Sequence, residues 1–462
     1  MYYLLPFRFH VFRNQELLTN DLGDYLLLPR GSVQRIVDRK VLPEEELYKN
    51  LTASFFICEK PMAVRLATRK AFLDHFTALH IFVLTLRCNQ NCIYCQASSQ
   101  ESCRNEYDMS EQTLLHAVDL MFRSPSPCLT MEFQGGEPTL VPHLIRRAIE
   151  YAEEKNLTEN RKLTYVICTN SVNLTDELLN LCRQYGAVIS TSLDGPLYLH
   201  NHNRGKMDSY QRVVAGIAKA REELGEDRVS ALMTTSEYSL GFPREIIDAY
   251  RENGFHSIFI RALNPYGLAK DNADWTAYYD RFVEFYKQAL EYIIELNKSG
   301  EVFVEEFATL ILRKILTPFP IGFVDLQSPA GIINGVIVYN YDGYVYASDE
   351  SRMLAEFRDY TFRVGSVTDR YEDLFYGRKA QEISRLWATE YIAGCADCAF
   401  QSICGADPVR NYSTQGDMYG FRPTSTFCRK HKAIIEHIFG LLADRREEVL
   451  PIFKSWITGT GG

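Results

Sequence analysis

The chain has 462 residues, 46% of them hydrophobic and 24% charged, the proportions of an ordinary globular protein with room for two or three cores. Its formal charge of −9 argues against non-specific nucleic-acid binding, which needs basic patches. There is no apolar run long enough to span a bilayer, and residues 1–6 lack the basic and long apolar regions of a signal peptide. A cytoplasmic, non-membrane protein is therefore expected, and in a reducing compartment twelve cysteines point to metal or redox chemistry before disulfides.

In chain order, short strand patterns at 7–11, 16–19 and 25–28 come first, separated by turn residues at 13–14 and 21–24. Helical patterns follow at 32–40 and 43–51, the second opening with Pro43 and three glutamates, as a helix N-terminus favours. From residue 80 onward strands and helices alternate. Strands are expected at 80–86, 129–133, 163–168, 187–192, 229–234 and 257–263, with helices at 110–123, 210–224 and 243–253. Six such units predict an α/β fold, a partial (β/α)6 barrel open on one side, over residues 76–300. The aromatic-rich helix expected at 274–297 reads as a packing face that closes the open side or links to the last region. A hairpin at 336–346, with Asp342-Gly343 at its turn, belongs to that last region, 301–462.

The chemistry gathers at strand ends. Cys88, Cys92 and Cys95, spaced C-x3-C-x2-C, lie in a loop directly after the first barrel strand, where barrel folds place catalytic groups. Three thiolates at such spacing can hold three irons of a [4Fe–4S] cluster and leave the fourth open. With Tyr94 before the third cysteine, the stretch resembles the signature of the radical S-adenosylmethionine (radical SAM) superfamily. That resemblance implies S-adenosylmethionine chelated at the open iron and its reductive cleavage to a 5′-deoxyadenosyl radical. Two later strand ends extend it. Phe133-Gln134-Gly135-Gly136-Glu137-Pro138 resembles the family's GGE motif, which contacts the cofactor's amino group, and Glu137 is a candidate ammonium acceptor. The third strand ends in Thr169-Asn170, adding Asn170 as a candidate cofactor contact. Ser192-Leu193-Asp194-Gly195-Pro196 with His200 and Arg204 resembles a segment of the peptide-modifying branch. By that resemblance Ser192 and Arg204 match residues that hold the cofactor carboxylate, a task suited to a forked guanidinium. Asn201 stands where the family usually has Asp. Tyr94 either packs near the adenine or is a core tyrosine.

Cys395, Cys398, Cys404 and Cys428 form a second group that resembles the SPASM extension, which in full form carries two auxiliary [4Fe–4S] clusters. Ser348 and Pro408 replace two of that family's cysteines, and none lies between 300 and 394. The resemblance then implies one auxiliary cluster with complete cysteine ligation, structural Zn²⁺ on the same four thiolates being the alternative. The remaining cysteines, 58, 103, 128, 168 and 182, show no pairing pattern and are expected as buried free thiols. Residues 1–75 resemble the small α+β domain that recognises leader peptides of ribosomally made precursors, or else form a structural extension below the barrel. Its opening residues also look like those of the His-Xaa-Ser system maturases. The implied function is radical modification of a precursor peptide, with net oxidation such as a cross-link, and with a flavodoxin or ferredoxin as electron donor. Oxidation of a protein Ser or Cys, as in anaerobic sulfatase maturases, is the second enzymatic reading, and a non-catalytic iron–sulfur or zinc scaffold the reading from another class. Asp349, after Ser348, is a candidate general base by the same resemblance, or else a solvated hairpin acid.

Overall fold

The computed structural model describes residues 2–58, 61–269, 274–384 and 388–459. Strands β1 (Arg8–Phe12), β2 (Gln15–Thr19) and β3 (Tyr25–Pro29) form an antiparallel sheet in that order. Because side chains alternate along a strand, β2 serves two cores. Leu18 packs with Leu28, Val33, Ile36, Leu51 and Phe56 in a small N-terminal core, while Leu17 enters the main one. The first helix is Ser32–Val37, shorter than expected, and Arg39 with φ 57° has left helical geometry. The second, expected at 43–51, is Glu46–Ala53. This small unit is not under the barrel. It lies on the second cysteine loop: Thr19 Oγ1 donates to the Ala399 carbonyl at 2.6 Å, Arg8 donates to the Ala396 carbonyl, and the His10 and Tyr25 rings meet Phe400 and Phe439.

The main sheet is built from β4 (Leu79–Thr85), β5 (Cys128–Gly135), β6 (Lys162–Cys168), β7 (Val188–Ser192) and β8 (Val229–Leu232), parallel throughout in the order β8-β7-β6-β5-β4. Connecting helices show the expected punctuation. Asp176–Tyr185, for example, starts on the Thr175 side-chain cap and stops at Gly186 in the left-handed region.

Two expectations are corrected. The sixth strand shrinks to β9 (Ser257–Ile258), which pairs with β10 (Val304–Glu305) outside the main sheet. Side chains take over the ladder's role there: the Glu305 carboxylate accepts the Ile260 amide at 3.1 Å and the Tyr278 hydroxyl accepts that of Leu263 at 2.8 Å. Nor does the sheet end at residue 300. β11 (Val336–Tyr339) adds parallel to β4, from Val336 beside Leu79 to Tyr339 beside Phe82, and covers the edge an open barrel would expose. β12 (Tyr344–Tyr346) and β13 (Arg363–Ser366) continue it antiparallel, giving eight strands. The aromatic helix runs Trp275–Lys298 and buries Tyr278, Tyr279, Phe282, Phe285 and Tyr286. It packs on helices Pro243–Glu252 and Thr426–Asp444, so it both closes the barrel and joins the last region. Among the described residues no helix is long and apolar enough to cross a membrane.

Candidate functional site

The first cysteine loop is clasped by backbone. The amides of Gly136 and Glu137 each donate at 2.8 Å, to the carbonyls of Thr85 and Arg87, and the Ile93 amide donates to Asn203 at 3.0 Å. Glycines make this approach possible. A Cβ on Gly136 would stand 2.4 Å from the Leu86 and Arg87 oxygens, and one on Gly205 2.3 Å from the Asn91 oxygen. Gly267 touches the loop in the same way, at the Cys95 and Gln96 carbonyls. Gly135 and Gly136 were legible as a motif; Gly205 and Gly267 carry no local sequence signal. The three thiols lie within electrostatic reach of one another, and burial followed by Glu137 pushes that of Cys88 up to about 12. Such thiols become good ligands when a bound metal charge compensates the thiolate, which fits an iron–sulfur site.

Glu137 is fully buried and its carboxylate is already engaged. Oε1 accepts the Thr139 amide at 3.0 Å and the hydroxyls of Thr139 and Thr169 at 2.7 Å, and Oε2 accepts the Asn170 amide at 2.7 Å. These bonds tie the ends of β5 and β6 together. Asn170 passes the link on, donating from Nδ2 to Asn89 Oδ1 in the cysteine loop at 2.7 Å.

Arg204 is held in a similar way. Its Nε and Nη2 donate to the two oxygens of Asp194 at 2.9 and 2.8 Å, a bidentate pair fully inside the protein. Only Nη1 turns toward the cluster loop, 3.9 Å from Cys92 Sγ. Tyr94 donates its hydroxyl to Asp194 at 2.5 Å, lies under the Arg204 guanidinium and packs in the main core. Burial alone would push the Asp194 carboxyl up, but Arg204, aided by His200 and Tyr94, holds it below the ordinary carboxylate range. His200 completes the support: Nδ1 accepts the Asp194 amide at 3.3 Å, and Nε2 meets Ser209 Oγ, which also takes a bond from Gln90. Ser192, the last residue of β7, stands half-buried beside this network.

Cys395, Cys398, Cys404 and Cys428 also share one neighbourhood. Cys428 lies in the first turn of the helix capped by Ser425, and the Cys404 thiol is pushed up to about 12 by burial and by the other three. Among the described residues no three His, Cys, Asp or Glu side chains gather closely enough for a single metal ion. In a closed zinc site the sulfurs would stand about 3.7 Å apart for bonds of about 2.3 Å. Of the other five cysteines, Cys182 is buried as expected, Cys168 is partly covered, and Cys58, Cys103 and Cys128 are exposed. Cys58 and Cys103 sit outside helices and the main sheet, and Cys128 opens β5 at its solvent end, where no layer covers them.

Between the barrel and the last region lies a cavity of about 460 Å³. Gln96, next to Cys95, lines it together with Glu132, Gln134 and Cys168 from the strand ends and Asp349, Glu350, Asp407 and Lys430 from the C-terminal elements. Asp349 does face this space, but it is paired with buried Arg352 at 3.1 Å, whose Nη1 donates to the Ala97 carbonyl. Its neighbour Glu350 is pushed up to about 8 by burial and by Asp325, Asp349 and Asp407. Glu132, Asp325, Glu350, Asp407, Arg410 and Lys430 were not foreseen. Only Glu132 and Gln134 left a trace, as polar residues alternating with Met131 and Phe133 on one inward face of β5.

Residues 82–237 match the family model described as "Radical SAM superfamily". A cysteine-type anaerobic sulfatase-maturating enzyme of Clostridium perfringens is 21% identical over 360 residues, covering 76% of this chain and 93% of its own. The solved structure of native anSMEcpe with bound AdoMet superposes with a TM-score of 0.65 at 19% identity, over 81% of this chain and all of that one. That of Streptococcus suis SuiB bound to the precursor peptide SuiA reaches 0.52 at 13% identity, over 93% and 100%. At these identities the two structures bear on the fold.

Proposed function

The chain is a radical SAM superfamily enzyme, and on that footing we propose that it matures a ribosomally made peptide by net oxidation of one of its residues. The observation that carries this reading is the cavity, which reaches from the residue beside Cys95 to the C-terminal carboxylates and has the volume of one or two side chains. Cys88, Cys92 and Cys95 would hold the [4Fe–4S] cluster, and Gly135, Gly136, Asn170 and Ser192 would contact S-adenosylmethionine. Together the two groups supply a 5′-deoxyadenosyl radical able to take a hydrogen atom from an unactivated carbon. The chain's own residues do the rest. Glu137 and Asn170 fix the strand ends against the cysteine loop, and Asp194 holds Arg204 so that one N–H faces Cys92. Apolar walls including Phe259, Phe282 and Phe307 exclude water and competing hydrogen donors. Asp349, paired with Arg352, remains the candidate proton acceptor. Cys395, Cys398, Cys404 and Cys428 would hold an auxiliary [4Fe–4S] cluster, a group suited to taking an electron. A flavodoxin or ferredoxin would supply the reducing electron.

Anaerobically reconstituted protein should hold about eight irons per chain. Cys398→Ala should hold about four, still release 5′-deoxyadenosine, and give no finished product. Normal product yield from a variant shown to lack that iron would make the second site structural. A protein Ser or Cys as substrate is the second reading, supported by the sulfatase-maturating relatives that align over most of the chain. Mass spectrometry separates the two for a Cys substrate, since its oxidation to an aldehyde replaces sulfur by oxygen while a cross-link removes only hydrogen. A Ser-derived aldehyde, equal in mass to a cross-link, is distinguished by its reaction with a hydrazide.

Residues 1–75 are proposed as the leader-binding domain. Their deletion should weaken peptide binding and, because β1, β2 and Arg69 hold residues 396–402, also lower the iron held at the second site. 5′-Deoxyadenosine release without peptide should persist. Unchanged peptide affinity in the truncated protein would make the segment a structural extension.

A further inference from the structure

One end of the cavity carries carboxylates that the protein pairs only in part. Four carboxylates, Asp325, Asp349, Glu350 and Asp407, line it together. Two of them are in use: Asp349 pairs with Arg352, and Asp407 caps the helix Pro408–Gln415 through the Arg410 amide at 2.9 Å. Asp325 and Glu350 have no hydrogen-bond or ion-pair partner for their side chains among the described residues. The cations nearby act on them only from beyond ion-pair distance, Lys430 on Asp325 and Arg261 on Glu350. Lys430 lies over the Tyr279 ring, 5.9 Å from its centroid, and Arg261 is exposed at the rim. Arg410, only 2% exposed, donates to Asn264 and Thr426 while its Nε has no partner.

Unpaired carboxylates partly withdrawn from water, as Asp325 and Glu350 are, carry a cost that a ligand pairing them recovers. Resting on the peptide-maturase reading, we infer that Asp325 and Glu350 form the receptor for a cationic side chain, an ammonium or guanidinium, of the peptide held in this cavity. The apolar walls opposite take the methylene stem, as long basic side chains favour. The raised Glu350 carboxyl agrees with this, since a cation replaces the repulsion of Asp325, Asp349 and Asp407 by attraction.

The test uses the full-length reconstituted enzyme with S-adenosylmethionine and single-residue probes, so that leader binding plays no part. Dissociation constants of N-acetyl-lysine methylamide and its isosteric neutral analogue, N-acetyl-norleucine methylamide, are measured by ligand-observed NMR. The lysine probe should bind at least about tenfold tighter, and the preference should fall to about twofold or less in Glu350→Gln and in Asp325→Asn, each first shown to melt as the parent does. Equal binding of the two probes, a preference that survives both substitutions, or no binding of the lysine probe up to its solubility limit would each overturn the inference. Failure of the broader reading looks different: the cation preference would stand while no precursor peptide, whatever its charge, is modified.

Discussion

Cys92→Ala is expected to abolish reductive cleavage of S-adenosylmethionine and to remove about four irons per chain, leaving the second site loaded. Two thiolates cannot hold a cluster that three hold with one iron open. Position matters as much as number here. The loop is fastened to the Asn203 carbonyl one residue beyond Cys92, and Cys92 is the thiol that Arg204 Nη1 faces. Because the backbone clasp does not involve the sulfur, the variant should fold and melt close to the parent. 5′-Deoxyadenosine release under dithionite, quantified by chromatography, is the measurement. Release at the parental rate would remove the assignment of the first cluster.

Asp194→Ala should be the most damaging single change away from the thiols. Its carboxylate has no exposure to solvent and satisfies two Arg204 nitrogens and the Tyr94 hydroxyl. Removing it leaves a buried guanidinium without its counter-charge, a loss of about 3–5 kcal/mol. The Thr234 amide, 3.3 Å from Asp194, and the Arg204 contact with Cys92 should loosen together, so cofactor cleavage falls as well as stability. The pH dependence has a definite sign. The folded-state carboxyl is held below its unfolded value, so its contribution is complete above about pH 4 and disappears as pH falls through the folded value. Denaturant unfolding of parent and variant from pH 7 downward should therefore show a gap that narrows in acid. A variant as stable as the parent at pH 7 would show that the pair adds nothing net.

Both predictions rest on features with different visibility in the sequence. The cysteine loop, the glycine pair and the 192–196 segment are local: a few adjacent residues place a thiol or remove a side chain, and that chemistry is written in neighbouring letters. The parallel strands were legible for the same reason, since a strand covered on both faces is a continuous apolar run, as His80 to Thr85 shows in β4. So was the second cysteine group as a group, since its four members do share one neighbourhood.

What tertiary structure alone decided is which polar groups spend their capacity on one another. Glu137 and Arg204 have the right chemistry for a cofactor, and much of their capacity goes to Thr139, Thr169, Asn170 and Asp194, residues 2 to 33 positions away. The sixth strand reads as a ladder partner until Glu305 and Tyr278 supply its hydrogen bonds from more distant positions. Strand β11 crosses the expected boundary because the bare edge of β4 accepts it, an opportunity that exists only once the barrel has formed. The cavity is the extreme case. Asp325, Glu350, Asp407 and Lys430 are scattered over more than a hundred residues, and no spacing joins them. Sequence determines chemistry where neighbours in the chain are neighbours in space; the cavity's charges meet only when the C-terminal region closes over the barrel.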